Sequence, residues 1–345
     1  MNRPDTAYQI KAGNQTASSN ARESDRQLLQ MTLELGMDGV GGWCNLELVG
    51  GEFAALAIGS EIQIRLDNGS GMVTVFAGQA DWVETGLSNQ RWQGSDAIAR
   101  LGRIEFEAAY QDVYADFIIK DILKQVDADI GSIAKGPNFP AYVLHRGPRA
   151  LAHVQALARL CGADLYSDGA GAVHCATPRE GRADHVFRFG ENILALNLQQ
   201  MVWPYDSVEV WGEGAAGQAG AEKAHWLVND LSSVSARAKL DASGKVVIGQ
   251  LGQRPLQIKH GALRSSGSAE DVAKARMSQV AARAISGQIE VVPSPAVMPG
   301  DLIELQDLPQ QHALSQLLGK GRSLRVRTVR HVLDRSRGFI TYLGL

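Results

Sequence analysis

Four histidines are the residues of this sequence best suited to acid–base chemistry, because the imidazole ring titrates near neutral pH. They are His145, His153, His174 and His331. None belongs to an HExxH or HxxxH metal-binding spacing, and no cysteine-rich pattern accompanies them. We interpret each as a structural histidine. The alternative is a β-rich hydrolase that uses His174 or His331 with nearby carboxylates.

One glycine motif matches a cofactor-binding signature on paper. Residues 212–217 read GEGAAG and follow a predicted strand at Ser207–Trp211. A GxGxxG motif binds dinucleotides when it joins a strand to a helix within a βαβ unit. Here Gly220 interrupts the segment that would form the helix, and the chain has neither a GxSxG motif nor a P-loop. We predict a flexible loop at 212–221, no cofactor, and a protein that is not an enzyme.

The composition excludes several other classes of protein. The chain has 345 residues, a net charge of −3 and three cysteines. Cys44, Cys161 and Cys175 lack metal-ligand spacing, and their odd number argues against a disulfide framework. The charge gives no electrostatic case for binding nucleic acid or an anionic membrane. The sequence contains no run of about 18 apolar residues, so it predicts no membrane-spanning helix. The N-terminus lacks the apolar region of a secretory signal.

The stretch 147–177 predicts the central elements of the fold, one helix followed by one hairpin. Apolar residues recur every three or four positions after Pro148, and Gly162 is placed to end the helix in the left-handed conformation. Residues 163–166 and 172–175 then alternate as two strands around the turn SDGAG.

The segments on both sides of this stretch predict further strands and two more helices. Residues 28–106 alternate with period two between glycine-containing turns, which is typical of an antiparallel barrel or sandwich. Residues 108–129 and 268–286 have helical periodicity, and Ser268 is a suitable N-cap for the later helix. Strands resume from residue 185 and continue to the end of the chain.

Four parts of the sequence, in this order, resemble the baseplate hub proteins of contractile phage tails and other contractile injection systems. This is the late-control gene D family, which is also similar to the N-terminal part of type VI secretion spike proteins. The matching segments are GSEIQIRL and FAGQA at 59–66 and 76–80, YQDVYADFIIKDIL at 110–123, the helix and hairpin of 147–177, and PGDLI, VRH and GFIT at 299–303, 329–331 and 338–341.

The resemblance implies an α+β fold, mainly β, with two similar small antiparallel β-barrel domains of the tail-tube type joined by an α/β connector. We place an N-terminal arm at 1–27, the first barrel domain at 28–107 and the connector at 108–184. The second barrel domain is 185–345, with inserted loops and the helix at 268–286.

The resemblance also implies a structural role. Three copies would form a pseudo-sixfold ring that joins a hexameric tail-tube protein to a trimeric central spike and nucleates tube assembly. The expected partners are a second and third copy, the tail tube, other baseplate proteins and a spike that is a separate polypeptide, because the chain stops at Leu345 just past the GFIT strand. Such a particle component assembles in the bacterial cytoplasm, with no membrane partner.

Strands with polar faces are the predicted contacts between copies, since barrel edges left unpaired within one subunit need a partner. The arginines within 322–337 alternate with apolar residues, and a basic face lining a lumen could meet DNA or a tape-measure protein. The candidate interface residues are Glu61, Gln63, Arg65, Val73, Val75, Gln288, Glu290, Arg325, Arg327 and Arg330.

A carbohydrate-binding or adhesion module is the remaining alternative. Aromatic side chains on one exposed face would favour it, whereas dispersed, buried ones favour the hub. The tryptophans in question are Trp43, Trp82, Trp92, Trp203, Trp211 and Trp226.

Overall fold

The computed structural model describes residues 6–20, 27–37, 39, 41–49, 56–200, 203–213, 234–242, 244–309, 313–318, 323–334 and 336–345. Its strands are β1 Ala7–Ala12, β2 Gln15–Ser18, β3 Gln27–Gly36, β4 Trp43–Val49, β5 Glu61–Asp67, β6 Val73–Thr85, β7 Asn89–Ser95, β8 Ala108–Tyr114, β9 Ile130–Ile133, β10 Asn138–Leu144, β11 Asp164–Ser167, β12 Val173–Ala176, β13 His185–Arg188, β14 Ile193–Gln200, β15 Ser207–Trp211, β16 Ser235–Leu240, β17 Val246–Ile248, β18 Pro255–Lys259, β19 Ile285–Val291, β20 Leu302–Gln306, β21 Ser323–Arg325, β22 Thr328–Asp334 and β23 Gly338–Gly344. Its helices are α1 Ala97–Leu101, α2 Ala115–Lys124, α3 Ala150–Cys161, α4 Ser266–Ala282 and α5 Ala313–Leu318.

An eleven-stranded antiparallel sheet forms the frame of the molecule, in the order β14-β19-β23-β22-β3-β4-β7-β6-β5-β1-β2. Strands from both predicted barrels therefore belong to one sheet. They meet where β22 pairs with β3, from Thr328 opposite Gly36 to Asp334 opposite Gln30. The predicted α+β class, mainly β, is confirmed.

Alternation gives the sheet one apolar face and one polar face, because successive side chains of a strand point to opposite sides. Two hydrophobic cores lie on the apolar face. The first includes the fully buried Phe76 and Trp92, and the second includes Ile289, Val329 and Leu343. Each half of the sheet thus packs on its own core.

A third core lies outside the large sheet and combines the predicted connector with a later part of the chain. Helices α2 and α3 share it with Val208 and Val210 of β15 and with α4. Here β15, which was predicted as a strand, joins β16, β17 and β18 in a four-stranded sheet, β17-β16-β15-β18, packed on α4. Gly162 lies so close to α4 that a Cβ there would be 2.4 Å from the Cβ of Ala275. The sequence did not show this packing, because the two parts are about a hundred residues apart.

The predicted helices are confirmed in type and corrected in their limits. Helix α3 ends at Gly162 in the left-handed conformation, as predicted, and β11 and β12 follow as the predicted hairpin. The helix predicted at 108–129 is α2 alone, because its first seven residues form β8 and pair with β10. Helix α4 starts earlier than predicted, because the hydroxyl of Ser265 rather than Ser268 is the N-cap and accepts from the Ser268 N–H.

The N-terminal segment is part of the large sheet where it is described. The region predicted as an N-terminal arm contains β1 and β2, of which β2 pairs with β1 and β1 pairs with β5. Ile10, Ala12 and Ala17 are fully buried, so burial of three apolar side chains holds this hairpin on the first core. The limits at residues 27, 107 and 184 stay predictions.

Candidate functional site

The free edges of the large sheet differ from the edges predicted as contacts between copies. Strands β5, β6, β19 and β22 each pair on both sides within the chain. Among the described strands, the outer ones of this sheet are β2 at one end and β14 at the other. Their outward-facing backbone N–H and C=O groups can pair with a strand of another chain. The sequence analysis predicted this role for other strands. The sequence analysis predicted strands from residue 185 onward, but not which strands would pair with β14.

The margin beside β14 is apolar. Leu194 is 55% exposed and Phe189, which precedes the strand, is 49% exposed. A bridge between Phe189 and Ile193 holds the two segments together. A free strand edge flanked by exposed apolar side chains is typical of a surface that another polypeptide covers.

Three predicted interface residues on β5 lie on the polar face of the sheet. Glu61 and Gln63 are exposed, and Arg65 is half-buried. The Arg65 Nη1 donates to Oε1 of Gln9 on β1 across 3.3 Å. These side chains are accessible on the face, although their strand is not an edge.

Of the predicted contacts on β6, Val75 is 1% exposed within the chain. Val73, two residues earlier, is half-buried. The turn of the β11–β12 hairpin covers this part of β6, since a Cβ on Gly169 would be 2.3 Å from the carbonyl oxygen of Thr74. The hairpin turn therefore lies against the first half of the large sheet at β6.

The predicted contacts on β19 are accessible. Gln288 is exposed and Glu290 is half-buried, on the face opposite to Ile289. Glu290 lies opposite Tyr342 of β23 in the register. Both residues belong to the polar face near the β14 edge.

Among the described arginines of the basic run, two are buried, while Arg330 and Arg337 are exposed at the surface. Arg325 and Arg327 are buried, at 9% and 8% exposure, whereas a basic face lining a lumen would need exposed guanidinium groups. Arg330 remains on the polar face and donates from Nε to the Glu34 carboxylate at 2.6 Å, across the β22–β3 junction. The reason for the difference is an acidic partner that lies far away in sequence.

That partner is Asp164, the first residue of β11, which is 4% exposed. Its carboxylate accepts from Nη1 of Arg325 at 2.5 Å, from Nη2 of Arg283 at 2.8 Å and from Nη2 of Arg327 at 3.4 Å. Burial acts to raise the pKa of Asp164, yet the charges of the three arginines hold it below its ordinary value. Four residues from β11, α4, β21 and the segment after β21 thus form one buried ionic cluster.

The other end of β11 carries a second buried carboxylate contact. The Ser167 hydroxyl donates to Oδ2 of Asp96, which also accepts from the Gly42 N–H at 2.6 Å. Oδ1 of Asp96 accepts from the Ala99 N–H at 3.1 Å and caps α1. Burial raises the pKa of Asp96 above its ordinary value, although these hydrogen bonds act in the opposite direction. The sequence analysis missed Asp96, whose signal was its N-cap position before a short apolar segment.

The histidines considered for catalysis make structural contacts. His174 lies between the Asp168 carboxylate, 3.1 Å from Nε2, and the Ser132 N–H, which donates to Nδ1 at 3.0 Å. His153 contacts the backbone oxygen of His145 at 3.2 Å. His331 is buried with Nδ1 at 3.0 Å from the Thr341 hydroxyl oxygen, and burial lowers its pKa to about 3.

Few described residues bear on the predictions that the chain binds neither a cofactor nor a metal. Of the GxGxxG motif, only Gly212 and Glu213 are described, and residues 214–217 lie outside the described residues, as does Trp226. Over the described ranges, no cluster of three potential metal ligands occurs, and no helix is long and apolar enough to cross a bilayer. The three cysteines are buried and unbonded.

The tryptophans are divided between core and surface. Trp92 is fully buried, whereas Trp43 and Trp82 are 39% and 42% exposed. Trp82 borders a shallow pocket of about 260 Å³ on the polar face, beside Asn45 and Gln93. This arrangement partly meets the condition set for a carbohydrate-binding surface.

Solved structures with this architecture are tail and secretion proteins. The chain is similar over 98% of its length, at 14% identity and a TM-score of 0.66, to 97% of the 43 kDa tail protein of prophage MuSo2 from Shewanella oneidensis. It is similar over 99% of its length, at 11% identity and a TM-score of 0.69, to 96% of a tail protein from Neisseria meningitidis MC58.

A third similar structure is the c3393 protein of E. coli, a component of the type VI secretion system that is described as similar to the phage T4 tail proteins gp27 and gp5. The likeness covers 97% of this chain and 75% of that one, at 10% identity and a TM-score of 0.59. No family model and no curated protein sequence matches the chain. The predicted resemblance to hub and spike proteins is therefore confirmed at the level of the fold.

Proposed function

We propose that the protein is a structural baseplate hub of a contractile tail or injection machine. It would act as a homotrimer of pseudo-sixfold symmetry that joins a hexameric tail tube to a trimeric spike and nucleates the tube. The observation that carries the proposal is one antiparallel sheet in two halves, each with its own core, which ends in free edges at β2 and β14. The likeness of the whole chain to tail proteins supports it.

The free edges favour a closed ring over an isolated chain. Contact between the β2 edge of one copy and the β14 edge of the next is heterologous, and a heterologous contact forms a ring when its rotation closes. Three copies, each with two sheet halves, present six similar surfaces, which suits a hexameric tube. Pairing in the ring also removes the exposed edges on which unwanted association begins.

The polar face that a lumen would expose carries both acidic and basic side chains. Near the junction of the two halves, Glu34 and Glu47 lie close to Arg330 and Arg91 respectively, and Glu61 and Arg65 lie on the same face of β5. Because Arg325 and Arg327 are buried, the case for DNA in the lumen is weaker than the sequence indicated, and a tape-measure protein is the better occupant. The remaining partners are a separate spike and other baseplate proteins, and assembly takes place in the bacterial cytoplasm before incorporation into the particle.

We further propose that the role is not catalytic, since the described histidines serve packing and hydrogen bonding. The carbohydrate-binding alternative is the second candidate, and the exposed Trp82 beside Asn45 and Gln93 is the observation that favours it. A glycan array on the purified chain and on Trp82→Ala distinguishes the two functions.

Light scattering over a concentration series, with and without the neighbouring spike protein, tests the hub. We expect three chain masses, and Leu194→Lys at the β14 edge should reduce trimer formation by about tenfold, because natural edge strands use lysine to block pairing. Leu87→Lys is the matched control, since Leu87 is fully exposed in the turn between β6 and β7. A chain that stays monomeric under all conditions, or equal effects of the two lysines, would reject the trimer.

A further inference from the structure

A groove lies where the third core meets the second half of the large sheet. Its volume is about 880 Å³, and it is bordered by the C-terminal half of α4, the β16–β17 turn, residues 178–181 and the ends of β20 and β21. We call it the junction groove. No part of the proposed ring contact uses it, since that contact involves β2 and β14.

The floor of the junction groove is a face of α4 that carries small side chains. Lys274, Ser278 and Ala282 lie four residues apart and therefore share one side of the helix. Ala281 and Ala284 widen this surface near the helix end. Small side chains let a second main chain approach closely, so the floor suits an extended peptide better than a bulky helix.

Two strand edges border the same groove. In the described chain, β21 pairs only with β20, and β17 pairs only with β16. Each strand contributes residues to the groove lining, Leu324 from β21 and Val246 from β17. An extended segment that enters here can add its backbone hydrogen bonds to either edge, the mode known as strand addition.

The charge of the rim favours an acidic occupant. Lys245 and Lys274 are exposed, and the salt bridges described for the chain include neither of them. Arg179 and Arg325 add positive charge, although carboxylates of Asp184 and Asp164 already accept from them. Glu180 is the one acidic side chain in the described lining. Charge complementarity across such a rim raises association rate and selectivity.

We propose that the junction groove binds an extended segment of a partner protein in which acidic and apolar residues alternate. The apolar side chains would face Ala282 and Leu324 on the floor, and the carboxylates would reach Lys245 and Lys274 on the rim. Strand geometry requires this alternation, because successive side chains point to opposite sides.

Fluorescence anisotropy on the full chain tests the proposal with three labelled peptides. The first alternates valine and glutamate, the second alternates valine and lysine, and the third has the composition of the first with the glutamates in one block. We expect the alternating glutamate peptide to bind about tenfold more tightly than either of the others, and its affinity to fall with added salt because exposed charges are screened.

Variants locate the binding. Lys245→Glu with Lys274→Glu should weaken binding of the alternating glutamate peptide about tenfold, and Ser278→Phe should do so by filling the groove without a change of charge. Lys259→Glu on the exposed side of β18 is the matched control, with an expected change under about twofold. Circular dichroism confirms that each variant is folded. Equal binding of the three peptides, no binding of the first, or unchanged affinity in Ser278→Phe would overturn the proposal.

Discussion

The two ends of β11 make contacts of opposite electrical character. At its first residue, Asp164 joins three arginines from the later part of the chain. At its last residue, Ser167 donates to Asp96, whose other described partners are backbone N–H groups. One strand of four buried residues thus links the ends of β7 and α1 to α4 and β21.

The comparison shows that burial alone does not decide the charge state of a carboxylate. Both aspartates are nearly inaccessible, yet the pKa of Asp164 is lowered and that of Asp96 is raised. Guanidinium groups provide full positive charge, whereas a hydroxyl and two amides provide only dipoles. Loss of Asp164 or of one of its arginines should therefore destabilise the protein at the ionic end. At the dipolar end, stability should fall mainly when a substitution removes the acceptor oxygens of Asp96.

The largest expected effect is that of Asp164→Ala. Removal of the carboxylate leaves three arginines near one another without their shared partner, and we expect a loss of about 3–5 kcal/mol in the free energy of unfolding. Denaturant unfolding followed by tryptophan fluorescence measures it. The matched control is Glu34→Gln at the surface pair with Arg330, where we expect less than about 1 kcal/mol. Equal losses in the two variants would show that the buried cluster contributes no more stability than the surface ion pair.

A smaller loss should follow Asp96→Ala. The substitution removes the N-cap of α1 and leaves the Ser167 hydroxyl and the Gly42 N–H without their acceptor, so we expect about 2–3 kcal/mol. Asp96→Asn keeps an acceptor oxygen and should recover at least half of the loss. The same denaturant series measures both variants. If Asp96→Asn is as unstable as Asp96→Ala, the contact depends on charge and the contrast with Asp164 is lost.

The smallest expected effect is a pH dependence of the free energy of unfolding. It is also the most specific, because the contributions of Asp164 and Asp96 should change with pH in opposite directions. The folded pKa of Asp164 is lowered, so its contribution is complete above the unfolded pKa of about 4 and is lost as pH falls through the folded pKa. The folded pKa of Asp96 is raised, so the carboxyl contributes most below about pH 4 and loses that contribution as pH rises through the folded value.

Unfolding free energies of the wild type, Asp164→Asn and Asp96→Asn between pH 2 and 7 check these signs. The difference between wild type and Asp164→Asn should grow with pH, and the difference between wild type and Asp96→Asn should shrink, each by about 1.4 kcal/mol per unit of pKa shift. Parallel curves for the two variants would contradict the assignment.

The sequence by itself determined the local elements. Period-two alternation predicted the strands of the first half, the spacing of apolar residues predicted α3, and Gly162 predicted its end, because these patterns depend on residues within a few positions of one another. The hairpin that contains β11 was predicted within one residue for the same reason. The order of the matching segments also predicted a fold that the structures of tail proteins share.

Only the tertiary structure decided which strands are edges, where Arg325 and Arg327 point, and that β15–β18 pack on α4. Each of these depends on contacts between segments that are distant in the chain, such as Asp164 with Arg325, 161 positions later. An alternating run of arginines has the same local pattern whether its polar side meets water or a buried carboxylate. The register and the burial of the partner strand make that choice, and neither leaves a signal within the run itself.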